Sequence, residues 1–375
     1  MRTISKTHGF VIFLLSLALL EYFKSTSSQL IASIKYVSKI DSDSEGHQVY
    51  LWAALAILLA SWAARVFWFF RPLSIRSMPW FIGSEATLTP LPGDMTQIEV
   101  VAPTNFSWYP GQHVFLRFPK VNMFDNHPFT ITSASPAATS QQQEPAKLVF
   151  LARTHTGFTK RLATYSKTSQ AGLANAWVDG PYGGITVPVH GLFDNVICIA
   201  GGTGLTPCLG LLANLVSKHA ASSTICCFKT VKFIWVFREL RHFAWAGERF
   251  ASAAAAAQSA SGLAIEFRFY VTGDNSSNLT MSAKNEKLAN ETETGTAVHH
   301  EYTSSQIELL GELTSGRPQL STIVPGLLTE GKNFVLCCGP QSFRDDLSQS
   351  CAAAQAKAMR GTIKEISLHT EAFSW

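Results

Sequence analysis

The stretch Gly201-Gly202-Thr203-Gly204-Leu205-Thr206-Pro207 decides the fold class expected for this chain. It follows an apolar run at residues 196–200, typical of a buried strand, and precedes an apolar segment of helical character at residues 209–216. Glycines let a backbone turn sharply and approach a pyrophosphate closely, and the free N–H groups of a helix N-terminus face the anion. Thr206 is predicted to be the N-cap and Pro207 the first helical residue. The stretch predicts a nucleotide-binding turn, although such turns also occur for packing alone.

Strand-like and helical segments alternate around this turn. Strands are predicted at residues 196–200, 231–238, 263–271 and 334–339, and a core-facing helix at residues 342–359. Strands that alternate with helices form a parallel sheet with helices on its faces. Apolar and polar residues alternate in the third strand, which favours a position near the sheet edge. Residues 273–306 are polar and poor in hydrophobic side chains, which indicates a disordered insertion.

The region before the turn has a different pattern. Residues 96–101, 113–118 and 148–153 are short β-branched or aromatic segments separated by Pro, Gly and Asn. They predict an antiparallel barrel or sandwich, entered through a linker at residues 79–92. The stretch His127-Pro128-Phe129-Thr130 lies between the second and third segments. A barrel followed by a strand, a glycine turn and a helix is suited to holding one planar cofactor against another.

Two apolar runs precede the barrel. The first, residues 10–23, predicts a transmembrane helix or a signal peptide, and the second, residues 49–70, is long enough to cross a bilayer. Arg65, Arg71 and Arg76 at the end of the second run place the following domains in the cytoplasm by the positive-inside rule. A buried helix of a soluble domain is the alternative for that run.

The composition narrows the classes of function. The formal net charge is +4 over 375 residues, which argues against a nucleic-acid-binding protein. The seven cysteines lie in the C-terminal half, in odd number and without zinc-like spacing. We therefore predict a reduced, cytosolic C-terminal half without a metal site.

Taken in order, the motifs of the chain resemble the C-terminal part of the ferric-chelate reductase family, which is related to the NADPH oxidases and more distantly to the ferredoxin–NADP reductases. The resemblance rests on Gly111-Gln-His-Val-Phe-Leu-Arg-Phe-Pro119, residues 127–133, Gly157-Phe-Thr-Lys-Arg-Leu162, Asp179-Gly-Pro-Tyr-Gly183, residues 201–207, Trp235-Val-Phe-Arg238, Gly316-Arg-Pro318, Cys338-Gly-Pro340 and Glu371-Ala-Phe-Ser-Trp375. It implies a membrane-anchored two-domain reductase. Residues 1–76 would be a membrane segment with one or two transmembrane helices, residues 77–190 an antiparallel β-barrel that binds FAD, and residues 191–375 an α/β parallel-sheet domain that binds NADP.

The resemblance also implies a flavin site in the barrel. Phe129 would pack on the flavin and Thr130 would hydrogen-bond near its N5, with Pro128 as a further cofactor-binding residue of the same motif. The FAD phosphates would be held by His127, Arg153, Gly157 and Thr159. Outside this motif, His127 would be read as a barrel histidine with its hydrogen bonds satisfied.

In the α/β domain the resemblance implies an NADPH site. The pyrophosphate would be held by Gly201, Gly202, Thr203, Gly204 and Thr206. Arg238 would meet the 2′-phosphate, which favours NADPH over NADH, unless it is a solvated charge at a strand end. Cys338, beside Gly339, would lie against the nicotinamide, unless it is a buried structural thiol. Trp375 would cover one flavin face, unless it belongs to a frayed terminus. Thr130, Cys338 and Trp375 are the implied catalytic residues.

The implied activity is that of a ferric-chelate reductase of the plasma membrane, with the FAD and NADP domains in the cytosol. Hydride would pass from NADPH to FAD, and single electrons would pass to haem b and then to ferric chelates. Only His8 and His47 lie near the apolar runs, too few for the two bis-histidine haems of the family. Three explanations remain: a truncated gene model, an electron-donating half that docks with a separate haem-bearing membrane protein, and a single-haem remnant that uses His8. A superoxide-generating NADPH oxidase and a catalytically silent partner-binding relative are the alternative functions.

Overall fold

The computed structural model describes residues 56, 57, 59, 60, 83–103, 106–123, 125–136, 145–168, 172–221, 226–259, 262–273 and 302–372. The chain divides into two compact units, Met1–Met78 and Pro79–Trp375. In the first unit, residues 56, 57, 59 and 60 are helical. The predicted helix at residues 10–23, the rest of that at 49–70, residues 274–301 of the insertion predicted at 273–306, and Trp375 lie outside the described residues. The prediction of disorder is wrong at the end of that insertion, where Thr303 caps a helix that begins at Ser304. No helix in the described ranges is both long enough and apolar enough to span a bilayer.

The first part of the second unit is a six-stranded antiparallel sheet. Its strands are β1 (Ser84–Leu91), β2 (Met95–Val101), β3 (Gln112–Arg117), β4 (His127–Thr130), β5 (Lys147–Arg153) and β6 (Leu173–Gly183), paired in the order β4-β3-β6-β1-β2-β5. The two edge strands, β4 and β5, come close to each other. The backbone N–H of Thr132, just after β4, donates to the Val149 carbonyl of β5 at 2.8 Å. The sheet thereby curves into a barrel around an apolar core. The predicted antiparallel sheet is confirmed.

The linker predicted at residues 79–92 is wrong where Ser84–Leu91 form β1. This strand pairs with β2 on one side and β6 on the other. Its inward side chains, Ala86 and Leu88, are buried. Pro90 stands near the end of the strand, and Pro92 stands in the turn to β2. Pairing on both sides outweighs the local signal of proline, which a strand end tolerates.

The second part is a six-stranded parallel sheet with the order β10-β9-β8-β7-β11-β12. Its strands are β7 (Asn195–Gly201), β8 (Thr230–Phe237), β9 (Ala264–Val271), β10 (Glu312–Ser315), β11 (Lys332–Cys338) and β12 (Glu365–Glu371). The helices are α1 (Phe158–Thr168, between β5 and β6), α2 (Val189–Leu192), α3 (Leu205–Ala220), α4 (Gly247–Ser259), α5 (Ser304–Glu308), α6 (Leu320–Leu327) and α7 (Gln341–Met359). The predicted parallel sheet is confirmed, and β9 lies second from the edge beside the short strand β10.

Helices cover both faces of the parallel sheet. One apolar cluster contains residues of α3 and α4, and another contains residues of α6 and α7. Phe343, Leu347 and Cys351, predicted to be core residues of the last helix, are buried. The sheet is therefore enclosed on both sides, as its almost continuously apolar central strands require.

Helix α3 begins earlier than the sequence predicted. Gly202–Gly204 form a 3₁₀ turn, and α3 follows directly with Gly204 as its N-cap. The prediction of Thr206 as N-cap is therefore wrong, and its hydroxyl instead donates to the Thr203 carbonyl at 3.4 Å. The prediction of Pro207 as the first helical residue is also wrong, because Leu205 is first and Pro207 third. Pro207 still lies in the first helical turn, where backbone N–H groups have no intrahelical partner and proline is tolerated.

The barrel and the parallel-sheet domain pack directly on each other. Met95 of β2 and Leu151 of β5 belong to the same apolar cluster as the side chains of α3 and α4. Trp245, in the 3₁₀ turn Leu240–Trp245 after β8, donates its indole N–H to the Pro92 carbonyl at 2.7 Å. The His242 ring stacks on Trp245 with ring centroids 4.4 Å apart. The apolar cluster is thus continuous across the boundary between the two domains.

Candidate functional site

A crevice of 690 Å³ lies between the barrel and the carboxyl ends of the parallel strands. Strand β7 lies between β8 and β11, so the strand order reverses beside it. Ligands of open α/β sheets bind outside the carboxyl ends of the strands at such a reversal. The volume is in the range of pockets that bind small molecules and cofactors. The fold therefore places a cofactor-sized space at the position where this class of sheet binds ligands.

Strand β4 forms the barrel side of the crevice, and His127, Pro128, Phe129 and Thr130 all border it. The Phe129 ring packs edge-on against Phe150 of the barrel core, with centroids 6.5 Å apart, and is 9% exposed. Successive side chains of a strand point to opposite faces. Thr130 therefore points away from the core that holds the Phe129 ring.

His127 is held by an aromatic partner. Its imidazole stacks on the ring of Phe158, the first residue of α1, with centroids 4.4 Å apart and planes inclined by 20°. Burial lowers the pKa of His127 below the ordinary histidine value; the Asp125 carboxylate opposes this shift and the Arg161 guanidinium adds to it. His127 is therefore neutral at pH 7 and offers the crevice a hydrogen-bonding ring without a charge.

The N-terminus of α1 and the end of β5 supply groups that suit an anion. Arg153, His155 and Thr159 border the crevice. The backbone N–H of His155 donates to Thr159 Oγ1 at 2.9 Å. Gly157 precedes α1 with φ of +64° and does not itself border the crevice. An arginine beside a helix N-terminus forms a positively polarised surface that favours phosphate.

The glycine turn forms the opposite side, where Gly201, Gly202, Thr203, Gly204 and Thr206 all border the crevice. A Cβ on Gly204 would lie 2.2 Å from the Cys338 carbonyl oxygen, so only glycine fits there. A Cβ on Gly339 would lie 3.3 Å from the Cα of Gly201. The missing side chains let the ends of β7 and β11 come close and leave bare backbone facing the crevice.

Cys338, which was predicted to face the nicotinamide, is fully buried at the end of β11. It does not border the crevice, whereas its neighbour Gly339 does. Burial raises the pKa of the Cys338 thiol far above the ordinary value, and Cys337 and Glu371 add to the shift. The thiol stays protonated at physiological pH and is not a nucleophile.

Arg238 is exposed at the carboxyl end of β8 and does not border the crevice. Burial lowers the pKa of His242, Glu239 opposes this shift, and the positive charges of Arg241, Arg153 and Arg238 lower the pKa further. The charges of Arg238 and Arg153 thus both lower the pKa of His242, and Arg153 borders the crevice. The two arginines contribute to one positive region at the boundary between the domains.

Sequence reasoning missed an acidic residue of the site. Glu371, at the end of β12, borders the crevice, and its Oε1 lies 2.9 Å from His369 Nε2. Arg344 of α7 donates to the Glu371 carbonyl at 3.4 Å. His113, also in the crevice, has a pKa lowered by burial and partly restored by the Glu371 charge. Glu371 stands in a motif that was used for the family resemblance, and His113 in one that was also used to predict a strand, but neither side chain was assigned to the site.

Within the ranges that the structure describes, no group of three or more His, Cys, Asp or Glu side chains is arranged to hold a metal ion. The seven cysteines of the described residues carry free thiols.

Two family models match the two halves of this crevice. The model of an FAD-binding domain matches residues 81–186, and the model of a ferric reductase NAD binding domain matches residues 193–352. The chain carries the FAD-binding and NAD-binding domains of the ferric reductase family. The crevice lies between these ferric reductase domains, with β4 in the first and the glycine turn in the second.

Individual ferric reductases are similar to the chain over part of their length. A probable cell surface ferric reductase of Aspergillus oryzae is 34% identical over 203 residues, which cover 52% of this chain and 26% of the relative. A ferric/cupric reductase transmembrane component of Saccharomyces cerevisiae is 25% identical over 295 residues, 74% of this chain and 45% of the relative. The chain thus spans less than half of either relative. A solved ferredoxin NADP⁺ reductase from Neisseria gonorrhoeae with bound FAD and NADP covers 76% of this chain and 98% of its own, with 15% identity and a TM-score of 0.46.

Proposed function

We propose that this chain is the electron-donating part of a membrane-bound, NADPH-dependent ferric-chelate reductase. The observation that carries the proposal is the crevice in which β4 of the FAD-binding domain lies across from the glycine turn of the NAD-binding domain. Two cofactors that exchange a hydride must lie within near-attack distance, and a crevice shared by both domains would allow that geometry. The names of the two fungal relatives support ferric iron as the final acceptor.

The barrel side of the crevice fits FAD. Thr130 presents a hydroxyl on the face turned away from the barrel core, where it can donate a hydrogen bond to the ring system. Arg153 and the N-terminus of α1 at Thr159 offer positive charge and a hydroxyl for the phosphates. Bound FAD supplies the chemistry that the side chains lack, since it accepts a hydride and releases electrons one at a time.

The glycine turn fits the diphosphate of a nicotinamide nucleotide. The close approach of Gly204 to the Cys338 carbonyl exposes backbone rather than side chains at the end of β7. Arg238, at the end of β8, adds a planar guanidinium on the side where the adenosine ribose of NADPH would lie. We infer a preference for NADPH over NADH from this charge.

The apolar run at residues 49–70 would anchor the chain, with the two cofactor domains on the cytosolic side. Electrons would leave toward ferric chelates by way of a haem-bearing membrane protein, because the chain has few histidines near its apolar runs.

The test uses the purified full chain in detergent or nanodiscs. We expect a yellow protein with flavin absorbance that oxidises NADPH when ferricyanide is added, and does so faster with NADPH than with NADH. A protein that neither holds flavin nor oxidises NADPH would be a silent relative and would overturn the proposal. Oxygen consumption in membranes, with and without a ferric chelate, distinguishes the reductase from a superoxide-generating oxidase.

A further inference from the structure

A buried tryptophan contacts the glycine turn. The indole Nε1–H of Trp235 in β8 donates to the carbonyl oxygen of Gly202 at 3.1 Å. The side chain is fully buried, and its ring lies 4.2 Å from that of Phe237 and 6.0 Å from that of Phe250, centroid to centroid. A buried indole N–H requires a partner, and here the aromatic neighbours fix the direction in which it points.

This hydrogen bond sets the orientation of one peptide group in the turn. Gly202 has φ of +56°, and its carbonyl also accepts from the Leu205 N–H at the start of α3. In a trans peptide the C=O and the following N–H point in opposite directions. Because the Gly202 carbonyl is held toward β8 and α3, the N–H of Thr203 points to the opposite side. Both Gly202 and Thr203 border the crevice.

We propose that Trp235 is a positioning residue for the nucleotide diphosphate. It holds the peptide between Gly202 and Thr203 so that the Thr203 N–H is available to a phosphate oxygen. A phosphate bound to that N–H polarises the peptide and strengthens the hydrogen bond from the indole on its other side. The inference rests on the proposed function, in which NADPH binds at this turn.

The experiment compares Trp235→Phe with Trp245→Phe in the full chain. Both substitutions remove an indole hydrogen bond to a backbone carbonyl within the same aromatic region. The partner of Trp235 is Gly202 in the glycine turn, whereas the partner of Trp245 is Pro92, outside it. The Kd of NADP⁺ is expected to rise about three- to tenfold in Trp235→Phe, the effect of one lost hydrogen bond. In Trp245→Phe it stays within about twofold.

A second ligand distinguishes a specific effect on the diphosphate site from a general loss of nucleotide binding. Adenosine 2′-monophosphate carries the 2′-phosphate but no diphosphate, so its Kd should stay unchanged in Trp235→Phe. An equal weakening of both ligands, or an equal effect of the two substitutions on NADP⁺, would show a merely structural role. Wild-type protein that does not bind NADP⁺ would instead refute the proposed function, so the two failures are distinct.

A measurement on the wild-type chain covers the case in which Trp235→Phe does not fold. Indole ¹⁵N–¹H resonances are assigned from variants at the other tryptophans. Addition of NADP⁺ should shift the Trp235 resonance downfield and leave the Trp245 resonance in place. An unmoved Trp235 resonance at saturating NADP⁺ would overturn the inference.

Discussion

The guanidinium of Arg249 lies 2.7 Å from the hydroxyl of Thr132 and joins the two domains. Arg249 belongs to α4 of the nucleotide domain, and Thr132 follows β4 of the barrel by two residues. A second nitrogen of the guanidinium donates to Gln97 Oε1 of β2 at 3.2 Å. Burial lowers the pKa of Arg249 to about 10, so the side chain remains a buried cation at pH 7. The strand that carries Thr130 is thus tied to the domain that carries the glycine turn.

Arg249→Met should weaken the contact between the domains. We expect the free energy of unfolding to fall by about 1–3 kcal/mol, because two hydrogen bonds to a charged donor are lost while the cost of burying the cation is relieved. Urea unfolding followed by tryptophan fluorescence measures this. Arg360→Met, at the exposed end of α7, is the matched control. Equal decreases in the free energy of unfolding in the two variants would contradict an interdomain role for Arg249.

Gly204→Ala should impair nucleotide binding more than flavin binding. The new Cβ would lie 2.2 Å from the Cys338 carbonyl oxygen, so the ends of β7 and β11 must separate. Overpacking of this kind costs about 1–3 kcal/mol, and we expect KM for NADPH to rise at least about tenfold while flavin absorbance is retained. Steady-state oxidation of NADPH with ferricyanide gives KM.

Gly191→Ala is the control for that substitution, because a Cβ there meets no atom within 4 Å. It should leave KM unchanged. A Gly204→Ala protein with wild-type KM would refute the importance of the close approach.

Arg238→Gln tests the proposed preference for NADPH. If the guanidinium meets the 2′-phosphate, KM for NADPH should rise about tenfold or more, since a charged hydrogen bond contributes about 1.5–3 kcal/mol. KM for NADH should change little, because NADH lacks that phosphate. Arg360→Gln serves as the control for loss of a surface charge. Equal effects on the two nucleotides would show that Arg238 does not discriminate between them.

Stability should decrease as the pH falls below about 6.5. Burial lowers the pKa values of His113, His127, His190 and His242 in the folded protein. Between each lowered pKa and the ordinary value, the unfolded chain binds more protons than the folded one, so the free energy of unfolding falls with falling pH. Thermal unfolding between pH 8 and pH 5 measures the effect.

His242→Gln should reduce that dependence, because one of the four imidazoles is removed. The difference between wild type and variant at pH 8 gives the cost of the lost stacking on Trp245. Below pH 6.5 that difference should shrink. A difference that stays constant from pH 8 to pH 5 would mean that His242 contributes nothing to the acid sensitivity.

The local sequence pattern predicted several secondary-structure elements correctly and failed to predict others. The apolar runs of β7, β8 and β11 and the spacing of Phe343, Leu347 and Cys351 are strong local signals, and the structure has these elements. Strand β6 was missed because its inward side chains are Ala174 and Ala176, which carry little hydrophobic signal. The N-cap of α3 was misplaced because the 3₁₀ turn at Gly202–Gly204 starts the helix before Thr206.

By itself the sequence determined the class of the molecule: an antiparallel domain followed by a parallel-sheet domain with a glycine turn at the end of its first strand. Periodicity and glycine placement are short-range properties, so they can be read from neighbouring residues. The tertiary structure decided how the crevice is built. The bonds from Trp235 to Gly202 and from Arg249 to Thr132 join residues 33 and 117 positions apart. The approach of Gly204 to Cys338 and the position of Glu371 at the crevice likewise depend on which strands become neighbours, which no local pattern encodes.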